Sequence, residues 1–181
     1  MNDKINIVFA SDDNYAQHIA VVIASIMAKT KEEVCFFVIN DNISSEKIAK
    51  LKNTAVKLNT TLEFIAVSEE QFKNVYLSGH VSKAAYFRLA LADIMPDDIE
   101  KVIYLDVDLL VYDDIKKFMA EWYKKICIGG CPDFGIMASN RLCRQKKEVI
   151  GLPKGKAYFN FRCFADKLKK NGAKKITLSG F

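Results

Sequence analysis

The chain has 181 residues, half of them hydrophobic and about a quarter charged, which is enough for one soluble domain with a core and hardly enough for two. No apolar run is long enough to span a bilayer. The five cysteines (Cys35, Cys127, Cys131, Cys143 and Cys163) contain no CxxC pair, so neither a disulfide framework nor a zinc site is indicated. The net charge of +5 invites a nucleic-acid or membrane partner, but all of it lies at one end. Residues 161–181 hold six of the 27 basic residues and one of the 22 acidic ones, leaving 21 of each in residues 1–160.

The N-terminal MNDKINIVF has no signal-peptide apolar region, which places the chain inside the cell. INIVFAS (5–11) reads as a strand, broken by Asp12-Asp13-Asn14. From Tyr15 to Lys29 the apolar residues Ile19, Val22, Ile23 and Ile26 form a helical stripe. VCFFVIN (34–40) is a continuous apolar run, as in a strand covered on both faces. Asn42 to Ser45 offers helix caps, and Ile48, Leu51, Ala55 and Leu58 make the next stripe. TLEFIAV (61–67) is a third strand, Ser82 can cap a helix ending near Ile94 before Met95-Pro96, and KVIYLDVDLLV (101–111) is a fourth strand. ICIGGC (126–131) is another. Alternating strands and helices predict one α/β domain with a mostly parallel, Rossmann-like sheet.

Ligands of such sheets bind beyond the carboxyl ends of the strands. The first strand ends in Asp12-Asp13-Asn14-Tyr15 and the fourth carries Asp106 and Asp108 within an apolar run. On an extended chain both acids point the same way and repel each other unless a cation lies between them. Hard divalent ions take oxygen ligands and share their shell with phosphate oxygens, so this pattern suits a metal–diphosphate. The alternative is that the strand stops at Leu105 and both acids are solvated.

IVFASDDNYAQHIAVVIASI (7–26) followed by AAYFRLALADIMPDDIEKVIYLDVDLLV (84–111) resembles glycosyltransferase family 8, which includes bacterial lipopolysaccharide galactosyl- and glucosyltransferases and glycogenin. The resemblance runs from about residue 4 to Asn160. It implies a GT-A fold, a UDP-sugar donor, Mn²⁺ (or Mg²⁺) and transfer with retention of configuration to a saccharide or glycolipid acceptor. It implies that Asp106 and Asp108 bind the metal, with Val107 between them at the donor. Asp12 and Asn14 match residues holding uridine and ribose, and Ala10 and Tyr15 line that pocket. Arg88 matches an arginine near the donor, and Asn160, in Tyr158-Phe-Asn160, one that contacts the donor sugar. His80 and Asp133 fall on the acceptor side. The same resemblance points to lipopolysaccharide or surface-glycan synthesis by a cytoplasmic protein peripheral to the inner membrane.

After Asn160 the family continues with a small residue, a glycine and VLLINL, whereas this chain reads FRCFADKLKKNGAKKITLSGF. The later Asp-Gln pair and the histidine that is the third metal ligand have no counterpart. Residues 160–169 can be written with the permitted codons AAT TTC AGG TGT TTT GCT GAT AAA CTT AAA, the synonymous choices being free. Without one T after the first codon they read Asn-Ser-Gly-Val-Leu-Leu-Ile-Asn-Leu. The expected division is therefore a nucleotide-sugar-binding domain over 1–160, C-terminally truncated, and a frameshifted, non-native basic tail over 161–181. That tail has neither interleaved aromatics nor an amphipathic stripe, so nucleic acid is not an expected partner. An inactive remnant that at most binds UDP and Mn²⁺ is the alternative function. A phosphohydrolase ranks below both, because its Asp-x-Asp belongs on the first strand.

Overall fold

Strand β1 (Ile5–Asp12) is apolar on both faces, and both are used. Ile5, Ile7 and Phe9 enter one core, while Val8 and Ala10 enter another on the opposite side of the sheet. The computed structural model describes residues 4–67, 87–88, 91–122, 128–132 and 159–167. Within them β1 is followed by α1 (Ala16–Met27), β2 (Val34–Asp41), α2 (Ser45–Lys57) and β3 (Thr61–Ala66). Then come α3 (Leu91–Ile94), β4 (Lys101–Leu105), α4 (Ile115–Trp122), β5 (Ile128–Pro132) and β6 (Phe159–Lys167).

The strands form a six-stranded sheet in the order β3-β2-β1-β4-β6-β5. β1 pairs in parallel with β2 and β4, and β2 with β3. β6 runs antiparallel to both β4 and β5. The reversal of order on either side of β1 marks where such sheets open a crevice for ligands.

The first core joins β1, β2 and β4 to the helices. Ile19, Val22, Ile23 and Ile26 of α1, spaced to form one helical face, are fully buried there with Leu51 and Ala55 of α2. Phe9 and Phe36 stack within it with ring centroids 5.9 Å apart. Helix α2 ends in a Schellman motif. Thr60 N–H donates to the Ala55 carbonyl and Asn59 N–H to the Val56 carbonyl, with Asn59 at φ 52°. The second core gathers Val8, Ala10, Phe37, Ile39, Val102 and Tyr104 under Phe87, Leu91 and Met95.

The first five elements lie where their hydrophobic periods place them. The fourth strand does not run to residue 111: β4 stops at Leu105, as in the alternative weighed above, and the chain bends at Val107–Asp108. The apolar residues beyond it still face the first core. Val107 is buried and Leu109 and Val111 pack against it, but Val111 N–H donates to Ser25 Oγ at 3.1 Å. Of the helix expected from Ser82 to Ile94, Phe87, Arg88 and α3 are described, and all are helical. β5 starts at Ile128, and Ile126 and Cys127 of its expected range lie outside the described residues. The boundary expected between residues 160 and 161 falls inside β6.

Candidate functional site

Because β1 and β4 are parallel, with Val8 opposite Tyr104, the acidic end of β1 and the Asp106–Asp108 segment after β4 open on the same edge. The loop after β1 is tied down at both acids. Asp12 Oδ1 accepts the Tyr15 N–H at 3.1 Å, satisfying a donor at the start of α1. Asp13 Oδ1 accepts the Ser44 N–H at 2.9 Å, where α2 begins. Asp13 Oδ2 lies 2.7 Å from Lys47 Nζ, which also donates to the Asp13 carbonyl. The Lys47 hydrogen bond, then that of Ser44, holds the Asp13 carboxyl down to about 2. Ala10 is buried beneath this loop, whereas Asn14 and Tyr15 are exposed. The Tyr15 ring lies 5.6 Å from that of His18, tilted by 46°.

Asp106 is half-buried and its charge is met from two directions. Tyr104 Oη donates to Asp106 Oδ1 at 3.0 Å, and Arg88 Nη2 lies 3.3 Å from the same oxygen. The Arg88 guanidinium also lies over the Tyr104 ring, 5.0 Å from its centroid. Burial is the main cause that pushes the Tyr104 phenol well above the usual tyrosine range, so it stays protonated and donates. Asp108 is exposed.

The donor set fits a hard divalent ion. Asp106 and Asp108 offer oxygens at a strand end, and such ions are held by one or two carboxylates together with substrate phosphates. Among the described residues no group of three or more His, Cys, Asp and Glu side chains is placed to hold a metal. Asp106 and Asp108 would supply two of the oxygen ligands of such an ion.

Of the residues singled out in the sequence, Ala10, Asp12, Asn14 and Tyr15 lie at the end of β1. Arg88 and Asp106 are in contact, and Val107 and Asp108 follow β4. Asn160 lies in β6, in register with Cys131 of β5. His80 and Asp133 lie outside the described residues. Sequence reasoning missed Tyr104. It is two residues before Asp106, which puts both on one face of an extended chain, and that period was the available signal. It also missed Asp13 and Lys47, which no local pattern joins.

The sequence profile of glycosyl transferase family 8 matches residues 6–177. General stress protein A of Bacillus subtilis is 34% identical over 119 residues, covering 64% of this chain and 42% of that protein. Lipopolysaccharide 1,2-glucosyltransferase of Escherichia coli is 26% identical over 164 residues, covering 88% of this chain and 48% of that protein. The chain thus spans less than half the length of these curated relatives. Crystal structures of the galactosyltransferase LgtC superpose with TM-scores of 0.80 and 0.77 at 32% and 30% identity. They cover 92% of this chain and 58% and 59% of theirs. With that likeness the sheet and its helices are a GT-A fold. The profile match over nearly the whole chain, together with this structural likeness, shows that the chain belongs to glycosyl transferase family 8.

Proposed function

We propose that this chain forms the donor-binding part of a retaining, metal-dependent glycosyltransferase. It moves a hexose from a UDP-sugar to a saccharide or glycolipid acceptor in lipopolysaccharide or surface-glycan synthesis, in the cytoplasm at the inner membrane. The observation that carries the reading is that two acidic segments, Asp12–Tyr15 and Asp106–Asp108, open on one sheet edge, with Arg88 beside Asp106. Two likenesses support it: one LgtC structure is a complex with donor and acceptor sugar analogs, and the E. coli relative is named for glucosyl transfer to lipopolysaccharide.

In this reading Asp12 and Asn14 bind the nucleoside, and Ala10 and Tyr15 wall its pocket. Asp106 and Asp108 hold the Mn²⁺ or Mg²⁺, with Val107 against the donor. Bound there, that ion supplies Lewis-acid neutralisation of the diphosphate as the glycosidic bond breaks. Arg88 presents a fixed, planar cation to donor oxygens. Asn160 contacts the donor sugar, and His80 and Asp133 serve the acceptor. Among the described residues no helix is long and apolar enough to cross a membrane.

Calorimetry with UDP, with and without Mn²⁺, tests the site. UDP binding is expected to require Mn²⁺ and to be lost in Asp106→Asn and Asp108→Asn; metal-independent binding, unchanged in both variants, would refute the reading. Incubation with UDP-glucose or UDP-galactose and a lipopolysaccharide-core saccharide then separates the alternatives. Transfer establishes the enzyme, and Mn²⁺-dependent binding without transfer establishes a UDP-binding remnant.

A further inference from the structure

Among the described residues, Tyr104 touches both the carboxylate and the guanidinium of the site described above. It is 1% exposed, at the end of a strand paired on both sides, so its ring has a fixed place. Its hydroxyl reaches Asp106 Oδ1 at 3.0 Å and its ring face lies under Arg88, whose Nη2 meets that same oxygen. A carboxylate oxygen engaged by two donors of fixed origin fixes the plane of the group, and with it the direction in which the second oxygen points. An arginine with its face on a buried ring and its edge on a carboxylate has likewise lost most of its rotational freedom.

We infer that Tyr104 is a positioning residue that aims Asp106 at the divalent ion and Arg88 at the donor. This deepens the proposed function and rests on its metal site. Hydrogen-bonding partners behind a metal ligand orient it, and losing one costs about 10- to 100-fold in metal affinity. A tyrosine that merely filled the core would be replaceable by phenylalanine at this position, because the ring and its packing are kept.

The experiment is a Mn²⁺ titration of the 181-residue chain and its Tyr104→Phe variant, followed by the electron paramagnetic resonance of free Mn²⁺ with UDP present. Thermal unfolding is measured alongside. The expected result is a Mn²⁺ dissociation constant raised about 10-fold or more in a variant that still unfolds cooperatively. Equal affinity in the two proteins overturns this role while leaving the metal site standing. Absence of Mn²⁺ binding by the unsubstituted chain overturns both.

If Tyr104→Phe does not fold, ultraviolet resonance Raman of the unsubstituted chain decides. A ring-deuterated tyrosine is placed at position 104 alone, so that its doublet, which reports phenol hydrogen bonding, is read apart from those of the other six tyrosines. That doublet is expected to change when Mg²⁺ and UDP engage Asp106, and an unchanged doublet refutes the assignment.

Discussion

Lys47 Nζ lies 2.7 Å from Asp13 Oδ2 and 2.7 Å from the Asp13 carbonyl oxygen, so one lysine of α2 grips the loop after β1 twice. The same carboxylate accepts the Ser44 N–H, which makes the start of α2 and the end of β1 one unit.

This unit predicts an acid-sensitive term in stability. The Asp13 carboxyl sits at about 2 in the folded chain against an ordinary 3.8, so the unfolded chain takes up the proton first as pH falls. The contribution is fully present above about pH 4 and is lost as pH falls toward about 2. Urea unfolding across that range is expected to show the loss, and Lys47→Met is expected to flatten it. A pH dependence identical in the two proteins would count against the pairing.

Arg88 and Asp106 give a second prediction. Both side chains are less than a fifth exposed, at 16% and 18%, so removing the arginine leaves a half-buried carboxylate short of a partner. Arg88→Met is expected to destabilise the fold by about 1–3 kcal/mol. In an Asp106→Asn background the same change is expected to cost less, because the stranded charge is gone. Denaturant midpoints of the four proteins measure the coupling, and strict additivity would show that the two groups do not interact.

The Phe9–Phe36 stack anchors β1 to β2 with both rings fully buried. Phe9→Ala is expected to cost about 3–5 kcal/mol, from lost burial and the cavity left behind. The unfolding midpoint should fall without a large change in the denaturant slope, and an unaltered midpoint would mean that this core is not closed in solution.

The register of β6 bears on residues 161–181. It places Asp166 in register with Val102, which is fully buried, on one side and with Ile128 on the other. An acidic residue at the centre of an otherwise apolar sheet register is unusual. The reading frame without one T puts valine, leucine, leucine and isoleucine opposite Leu105, Tyr104, Ile103 and Val102. We propose that the encoding DNA carries a one-base shift near codon 160. Resequencing codons 155–181 is expected to recover SGVLLINL, and the frame as written, found in independent clones, would end this explanation.

The elements that sequence reasoning placed well are those whose burial has a simple period. α1 shows it: Ile19, Val22, Ile23 and Ile26 are fully buried along one helical face. β4 shows the limit. Val107, Leu109 and Val111 continue its apolar run, yet they pack on the first core without strand pairing, and hydropathy does not separate the two uses. Asp106 and Asp108 stood out because two acids in an apolar run demand a cause. The partners of Asp106 were not, since Arg88 reaches it across 18 positions of chain and only the fold brings them together. Asp13 and Lys47 were hidden for the same reason.

The place of β6 also governs the order in which the molecule is made. β4 gains its second neighbour only from a strand that begins at Phe159, more than fifty residues later. At a synthesis rate of ~5–20 residues per second, a nascent chain carries β4 as an open edge for several seconds. Unpaired edges of that kind recruit other strands. The stage most exposed to misassembly therefore falls during translation, after the β1–β4 half has collapsed and before β6 emerges. Co-translational chaperone contact is expected to concentrate in that interval.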